Sequence, residues 1–179
     1  FDEIYERLAY DGAKHVNILQ VAPELKNQTV LINGASKAYA MTGWRIGYAL
    51  GSKEIIAQIN KLQTHLTSNA TSIAQWAAVG ALKEGDAAVE EMRKAFEERR
   101  KVILGLIRDM PYVKVREPEG AFYVFIDIRE CPLADDLEFC ERLLEEKLVA
   151  AVPGAAFFAP GFVRFSYACS MENIKEGMS

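Results

Sequence analysis

Two bases share a short segment of mostly small residues. In Gly34-Ala35-Ser36-Lys37-Ala38-Tyr39-Ala40-Met41-Thr42-Gly43-Trp44-Arg45-Ile46-Gly47, Lys37 follows an apolar run that Gly34 stops, and Arg45 precedes the next apolar run. Lysine is seldom buried at the end of a strand unless it is paired or employed. In an apolar, partly desolvated site its pKa falls, and the neutral amine can attack a carbonyl. Arg45 offers a planar fork matched to a phosphate. Such a pair suits a phosphorylated aldehyde. A surface loop carrying two bases with their stems laid along apolar neighbours accounts for the same spacing.

Two other segments carry side chains with chemical potential. Asp2-Glu3-Ile4-Tyr5 puts an acid and a phenol three residues apart, where both could enter one cleft; a solvated loop is the plainer reading. Val163-Arg164-Phe165-Ser166-Tyr167-Ala168 places an arginine inside an apolar strand, where its charge needs an anion, either a ligand or a structural Asp or Glu. His15 and His65 share no ligand spacing, so no metal site is expected.

The elements that must position these groups are legible from pattern. Thr29-Val30-Leu31-Ile32-Asn33 and Ile46-Gly47-Tyr48-Ala49-Leu50 read as strands, apolar on both faces, which suggests the interior of a largely parallel sheet. Ser52 is an N-cap for a helix over about 54–65, and a second helix runs over about 71–83 to Gly85. Between them Thr67-Ser68-Asn69 is a break. Asp86 then starts a long helix with the apolar stripe Val89, Met92, Phe96, Ile103, Leu106, Ile107 and Met110, ended by Pro111. On it, Glu90 with Lys94 and Glu97 with Lys101 are spaced as i,i+4 pairs, and the Arg99-Arg100-Lys101 run reads as a solvated face. Beyond Pro111 come strands over 112–116 and 121–128, a helix over about 135–147, strands over 148–152 and 162–167, and a last helix from Glu172. Phe122 and Tyr123 are expected in the core.

The pattern implies an α/β fold in two pieces, residues 1–84 and 85–179. The first has too few strands for a complete sheet, and the chain, which opens on Phe1, is expected to begin inside a longer protein. The net charge of −4 offers no basic surface for nucleic acid. No apolar stretch is long enough to span a membrane. The three cysteines, Cys131, Cys140 and Cys169, lack metal-binding or disulfide spacing and read as free thiols in a reducing cytosol.

The segment around Lys37 resembles the lysine-attachment motif of the class I aminotransferases, which are fold type I pyridoxal-phosphate enzymes, at Ser36-Lys37, Gly43, Arg45 and Ile46-Gly47. Nearly the whole chain shares the resemblance, as a C-terminal portion of the family's chain. It implies part of a large domain with a mostly parallel sheet, followed by a small α/β domain. It also implies pyridoxal 5'-phosphate joined to Lys37, which then shuttles a proton. Arg45 would bind the cofactor phosphate with Ser36, Asp2 would pair with the ring nitrogen, and Tyr5 would hydrogen-bond the phenolic oxygen. Arg164, with Val152-Pro153-Gly154 ahead of it, would clamp the substrate α-carboxylate. Many aspartate-type members carry a phosphate-binding serine where this chain has Gly34, so one phosphate contact would fall to backbone N–H groups.

The implied protein is a cytoplasmic aminotransferase using an L-amino acid and a 2-oxo acid, aspartate with 2-oxoglutarate first. It would be a homodimer with a shared active site, and Thr67-Ser68-Asn69 would lie at the subunit interface. A carbon–sulfur β-lyase of the same fold and a ligand-sensing domain of a transcription regulator are the alternatives. The 179-residue chain alone is expected to transaminate poorly.

Overall fold

The apolar runs on either side of Lys37 form two short strands, β1 (Leu31–Gly34) and β2 (Gly47–Leu50), paired antiparallel with Leu31 opposite Leu50 and Gly34 opposite Gly47. The pairing departs from the expected parallel sheet. Parallel neighbours need a crossover, usually a helix, whereas residues 35–46 hold only turns and a single 3-10 turn at Thr42–Trp44, so the chain folds straight back. A parallel pairing is seen in the isolated bridge between Asp2 and Ile32. There the Glu3 N–H donates to the Ile32 carbonyl at 2.8 Å and the Ile32 N–H to the Phe1 carbonyl at 2.8 Å. Ile32, Tyr48 and Leu50 are exposed, so the sheet faces expected to be buried are uncovered in this chain.

The computed structural model describes residues 1–179, which fall into two compact units, Phe1–Arg93 and Lys94–Ser179. The break lies inside a helix, nine residues beyond the expected boundary at Gly85. In the first unit, α1 (Ile18–Val21) and a 3-10 helix (Pro23–Gln28) precede β1, and neither is expected from the sequence. Helices α2 (Lys53–Leu66) and α3 (Ser72–Glu84) start on the side chains of Ser52 and Thr71, each accepting a backbone N–H three residues on. Leu8, Tyr10, Ala35, Ala38, Met41, Ala74 and Val89 are buried.

α4 (Asp86–Arg108) crosses the break between the units. The expected stripe holds at Val89, Phe96, Ile103 and Ile107, joined by Leu104. Arg100 corrects the solvated-face reading: it is only 3% exposed. Its Nε donates to the Pro118 carbonyl at 2.5 Å, and its charge lies 3.8 Å from Glu117. Residue 100 falls four after Phe96 and three before Ile103, in phase with the stripe. Glu90 accepts two hydrogen bonds from Arg93, one residue before the expected partner Lys94, at 2.8 and 2.9 Å.

The second unit carries a four-stranded antiparallel sheet in the order β3 (Lys114–Val115), β4 (Tyr123–Asp127), β6 (Phe162–Ser166), β5 (Val152–Pro153). Alternation sends Val124, Ile126, Val163 and Phe165 into the core, each such residue contributing about 1.5–3 kcal/mol if fully buried. Tyr123, Phe125, Phe162 and Arg164 take the opposite face. Phe96 of α4 stacks on Phe122, 5.3 Å between centroids, and meets Tyr167 edge-on at 6.4 Å.

α5 (Asp136–Lys147) is capped by Asp135, which accepts from the N–H groups of Leu137 and Glu138. The strand expected from Leu148 is absent until Val152. Leu148 instead turns left-handed (φ 58°) and donates its N–H to the carbonyls of Leu143 and Leu144, ending α5. α6 (Met171–Gly177) closes the chain on a Ser170 cap. The three cysteines are free thiols. No helix is long and apolar enough to cross a membrane.

Candidate functional site

The turn after β1 carries Lys37. Residues 35–41 close on themselves: the Tyr39 N–H donates to Ala35, and the Met41 N–H to Ser36. Ala35, Ala38 and Met41 are buried and anchor the turn, which leaves Ser36 and Lys37 half-buried. The Lys37 Nζ lies 6.0 Å from the centre of the Tyr5 ring. Tyr5 belongs to a turn stitched to β1 by the Asp2–Ile32 bridge, and Asp2 Oδ1 accepts the Ile4 N–H at 3.0 Å within it. The fold therefore brings the Asp2–Tyr5 and Lys37 segments together, although 32 residues separate Tyr5 from Lys37.

The same N-terminal segment buries a carboxylate. Glu3 is 7% exposed, and its Oε1 meets His15 Nε2 at 2.9 Å and accepts from Asn17 Nδ2 at 2.6 Å. Glu6 accepts from Asn33 Nδ2 at 2.8 Å. Glu3, Glu6 and His15 bring ligand-type atoms within 4.8 Å of one another, a grouping invisible in the spacing. These hydrogen bonds account for it as a polar brace that ties the residue 2–6 turn to β1 and to the His15 loop.

Arg45 stands at the far end of the lysine loop, exposed, with a left-handed backbone (φ 52°). Its Nη1 donates to the Thr42 carbonyl at 2.8 Å. That bond is to a neutral, exposed acceptor, and an ionised phosphate is the stronger partner for a guanidinium. Trp44 beside it is exposed. A hollow of about 270 Å³ is lined by Gly34, Ala35, Tyr39, Gly47 and Tyr48 together with α3 residues such as Gln75; Lys37 and Arg45 are not among its walls.

Gly34 has a steric cause. It pairs with Gly47, and a Cβ on it would sit 3.0 Å from the Ile46 carbonyl oxygen and 3.1 Å from the Gly47 Cα. Contacts that short are against backbone, so a serine here requires the two strand ends to part.

In the second unit, Arg164 is half-buried on β6, opposite Phe125 of β4. Its guanidinium carbon lies 4.4 Å from the centre of the Tyr123 ring and 4.5 Å from that of Phe157. Two aromatic faces, rather than a structural Asp or Glu, hold the charge, and cation–π contact steadies it without using its hydrogen-bond donors. Tyr123 is thus a flank of Arg164 and not a core residue, and Phe122, also expected in the core, is half-buried and stacks on Phe96. Phe157 is a second residue that the sequence did not single out. It sits on a 3-10 turn (Gly154–Phe157), and the carboxylate of Asp136, only 6% exposed, accepts from the N–H groups of Ala155 at 2.7 Å and Gly161 at 3.0 Å. Those backbone donors, Ala155 first and then Gly161, hold the Asp136 carboxyl below the usual carboxylate range.

The chain belongs to the aminotransferase class I and II family, whose model matches residues 1–179. Members of this family use pyridoxal 5'-phosphate. The chain is 51% identical over 180 residues to an aspartate aminotransferase of Geobacillus stearothermophilus, covering 97% of this chain and 45% of that protein. An asparagine–oxo-acid transaminase of Streptococcus mutans is 46% identical over 99% of this chain and 46% of its own length. Among solved structures, an aspartate aminotransferase from Rhizobium meliloti superposes with a TM-score of 0.92 at 40% identity, over 98% of this chain and 46% of that one.

The chain thus spans about half the length of the relatives it matches. These matches fix the share of each relative and not its position, so they do not carry the expectation of a C-terminal portion. Nor do the relatives' names favour the carbon–sulfur lyase or the regulator domain.

Proposed function

We propose that this chain is the lysine-bearing part of an aminotransferase that moves an amino group from an L-amino acid, aspartate first, to a 2-oxo acid such as 2-oxoglutarate. The observation that carries this reading is the placement of Lys37, half-buried on a tight turn with its Nζ 6.0 Å from the Tyr5 ring centre. The names of the relatives support aspartate as the donor.

The donor set fits pyridoxal 5'-phosphate. Lys37 supplies an amine for the aldehyde, Asp2 a carboxylate for the ring nitrogen, Tyr5 a phenol for the ring oxygen, and Arg45 with Ser36 donors for the phosphate. The bound cofactor supplies an aldehyde and an electron-withdrawing ring that makes the α-proton of an amino acid removable. Lys37 Nζ would hold the aldehyde and serve as the amine that carries the α-proton. Asp2 would hold the proton of the ring nitrogen. Arg164 binds the substrate α-carboxylate through two parallel N–H donors and so limits how the α-carbon can turn.

Placement in the cytoplasm and a homodimer that shares its active site, with residues 67–69 at the contact, complete the reading. The test uses the full-length protein. Borohydride treatment should make the link to Lys37 permanent, adding the mass of the reduced cofactor to the Lys37 peptide. A label on any other lysine, or none, refutes the assignment.

A further inference from the structure

We infer that Asp136 is a positioning residue for Arg164, acting through the loop 154–161 and Phe157. The inference rests on the reading that Arg164 takes the substrate carboxylate.

The geometry forms a chain of three links. Asp136 lies in the first turn of α5, and the N-cap role there is already filled by Asp135. Its carboxylate is free to reach out of the helix, and it spans the loop: one oxygen accepts from Ala155, at the start, and the other from Gly161, at the end. The loop it closes is tight. Within it the Ala159 N–H donates to the Gly154 carbonyl at 3.0 Å, and a Cβ on Gly154 would sit 2.1 Å from the Ala159 carbonyl oxygen. Phe158 is left-handed at φ 58° and Gly161 at φ 82°. A loop with so many unusual backbone angles needs an outside constraint to hold one conformation, and an ionised carboxylate bonded to both of its ends provides it.

Phe157 is the product of that constraint. Its ring centre lies 4.5 Å from the Arg164 guanidinium carbon, and that of Tyr123, fixed on β4, lies 4.4 Å from it. Phe157 also meets Phe125 edge-on at 6.1 Å. Two rings fix the plane of the fork and leave its edge for a carboxylate. Tyr123 is set by the sheet; Phe157 depends on the loop, and hence on Asp136. Loss of the carboxylate frees one face of the guanidinium, which then samples orientations that cannot take both oxygens of a carboxylate at once.

The test uses full-length, cofactor-loaded protein and the wild type, Asp136→Asn, Phe157→Leu, Phe157→Tyr and Arg164→Ala variants. Calorimetry measures the dissociation constant of succinate, a dicarboxylate with no amine to transfer, and kinetics gives KM and kcat for the amino donor. Asp136→Asn and Phe157→Leu are each expected to weaken succinate and raise the donor KM by about tenfold, with kcat within about threefold, because the lost term is orientation before chemistry. A variant combining Asp136→Asn with Phe157→Leu should be little worse than either single one, since both break the same link. Phe157→Tyr, which keeps the ring, should restore affinity to within about twofold.

A general loosening of the unit would lower kcat and the melting temperature without this KM pattern. If Asp136→Asn melts earlier but binds succinate like the wild type, the inference is overturned while the role of Arg164 stands. Should Arg164→Ala itself bind succinate normally, the reading beneath the inference fails, and the inference with it.

Discussion

Lys37 and Arg164 are mounted in opposite ways. Lys37 stands on a turn between two strands of four residues, with a flexible stem and its amine 6.0 Å from the Tyr5 ring centre. Arg164 stands mid-strand in a four-stranded sheet, with the centres of two rings under 5 Å away, one of them on a loop held by a buried carboxylate. The difference follows the work each would do. An amine that must leave one partner, take a proton and return it needs a mobile tip on a fixed base. A clamp that decides how a substrate lies needs its plane fixed before the substrate arrives.

The sharpest way to break that comparison is to remove each head group in the full-length enzyme. Lys37→Ala should lower turnover by about a thousandfold or more, because the proton has no other carrier at that atom. Arg164→Ala should act mainly on the donor KM, by about a hundredfold, and leave more of kcat. Steady-state kinetics on both variants decides it. Equal losses in kcat would mean that Arg164 does more than orient, and the contrast would go.

Stability measurements sharpen the contrast further. Gly34→Ser should destabilise by about 1–3 kcal/mol, read from chemical denaturation, because its Cβ meets backbone at 3.0 Å. It should not tighten cofactor binding, since its Cβ must first push back the backbone of Ile46 and Gly47. Arg100→Ala should cost a similar or smaller amount, about 1–3 kcal/mol, by leaving the Pro118 carbonyl without its donor.

Acid should act next, and more gently. The folded-state pKa of Asp136 is depressed below the unfolded value, so its contribution to stability is present above the ordinary aspartate range and is lost as pH falls through the folded pKa. The half-buried Asp127, paired with the exposed Arg129 and lowered to about 2, has the same sign. Melting temperatures between pH 6 and 2 should therefore fall, and Asp136→Asn should flatten part of that fall.

Much of this was legible in the sequence, and the failures have physical causes. The helix start at Ser52 was readable because a capping side chain leaves a local signature, and Thr71, Asp135 and Ser170 prove to cap the helices expected from near 71, 135 and 172. The direction of β1 against β2 was not. Apolar runs report burial on two faces, whereas direction is set by the path of residues 35–46, which lack a crossover helix. Arg100 was misread by composition, though its phase between Phe96 and Ile103 held the signal. Lys37, Arg45 and Arg164 stood out as charges beside or within apolar runs. Phe157 and Asp136 did not, since an aromatic in a loop and a second acid at a helix start are common. Only the fold shows that one rests on Arg164 and the other holds that loop.

Gly34 and Gly47 face each other where β1 ends and β2 begins, with no side chain between them. The excursion from 35 to 46 therefore leaves and re-enters the sheet through one narrow neck. A residue inserted or deleted within it cannot be absorbed by sliding the strands, because the neck admits no bulkier pair. The change must be taken up inside the excursion itself, and the spacing between residues 37 and 45 becomes a fixed length that drift in the surrounding sequence cannot easily stretch.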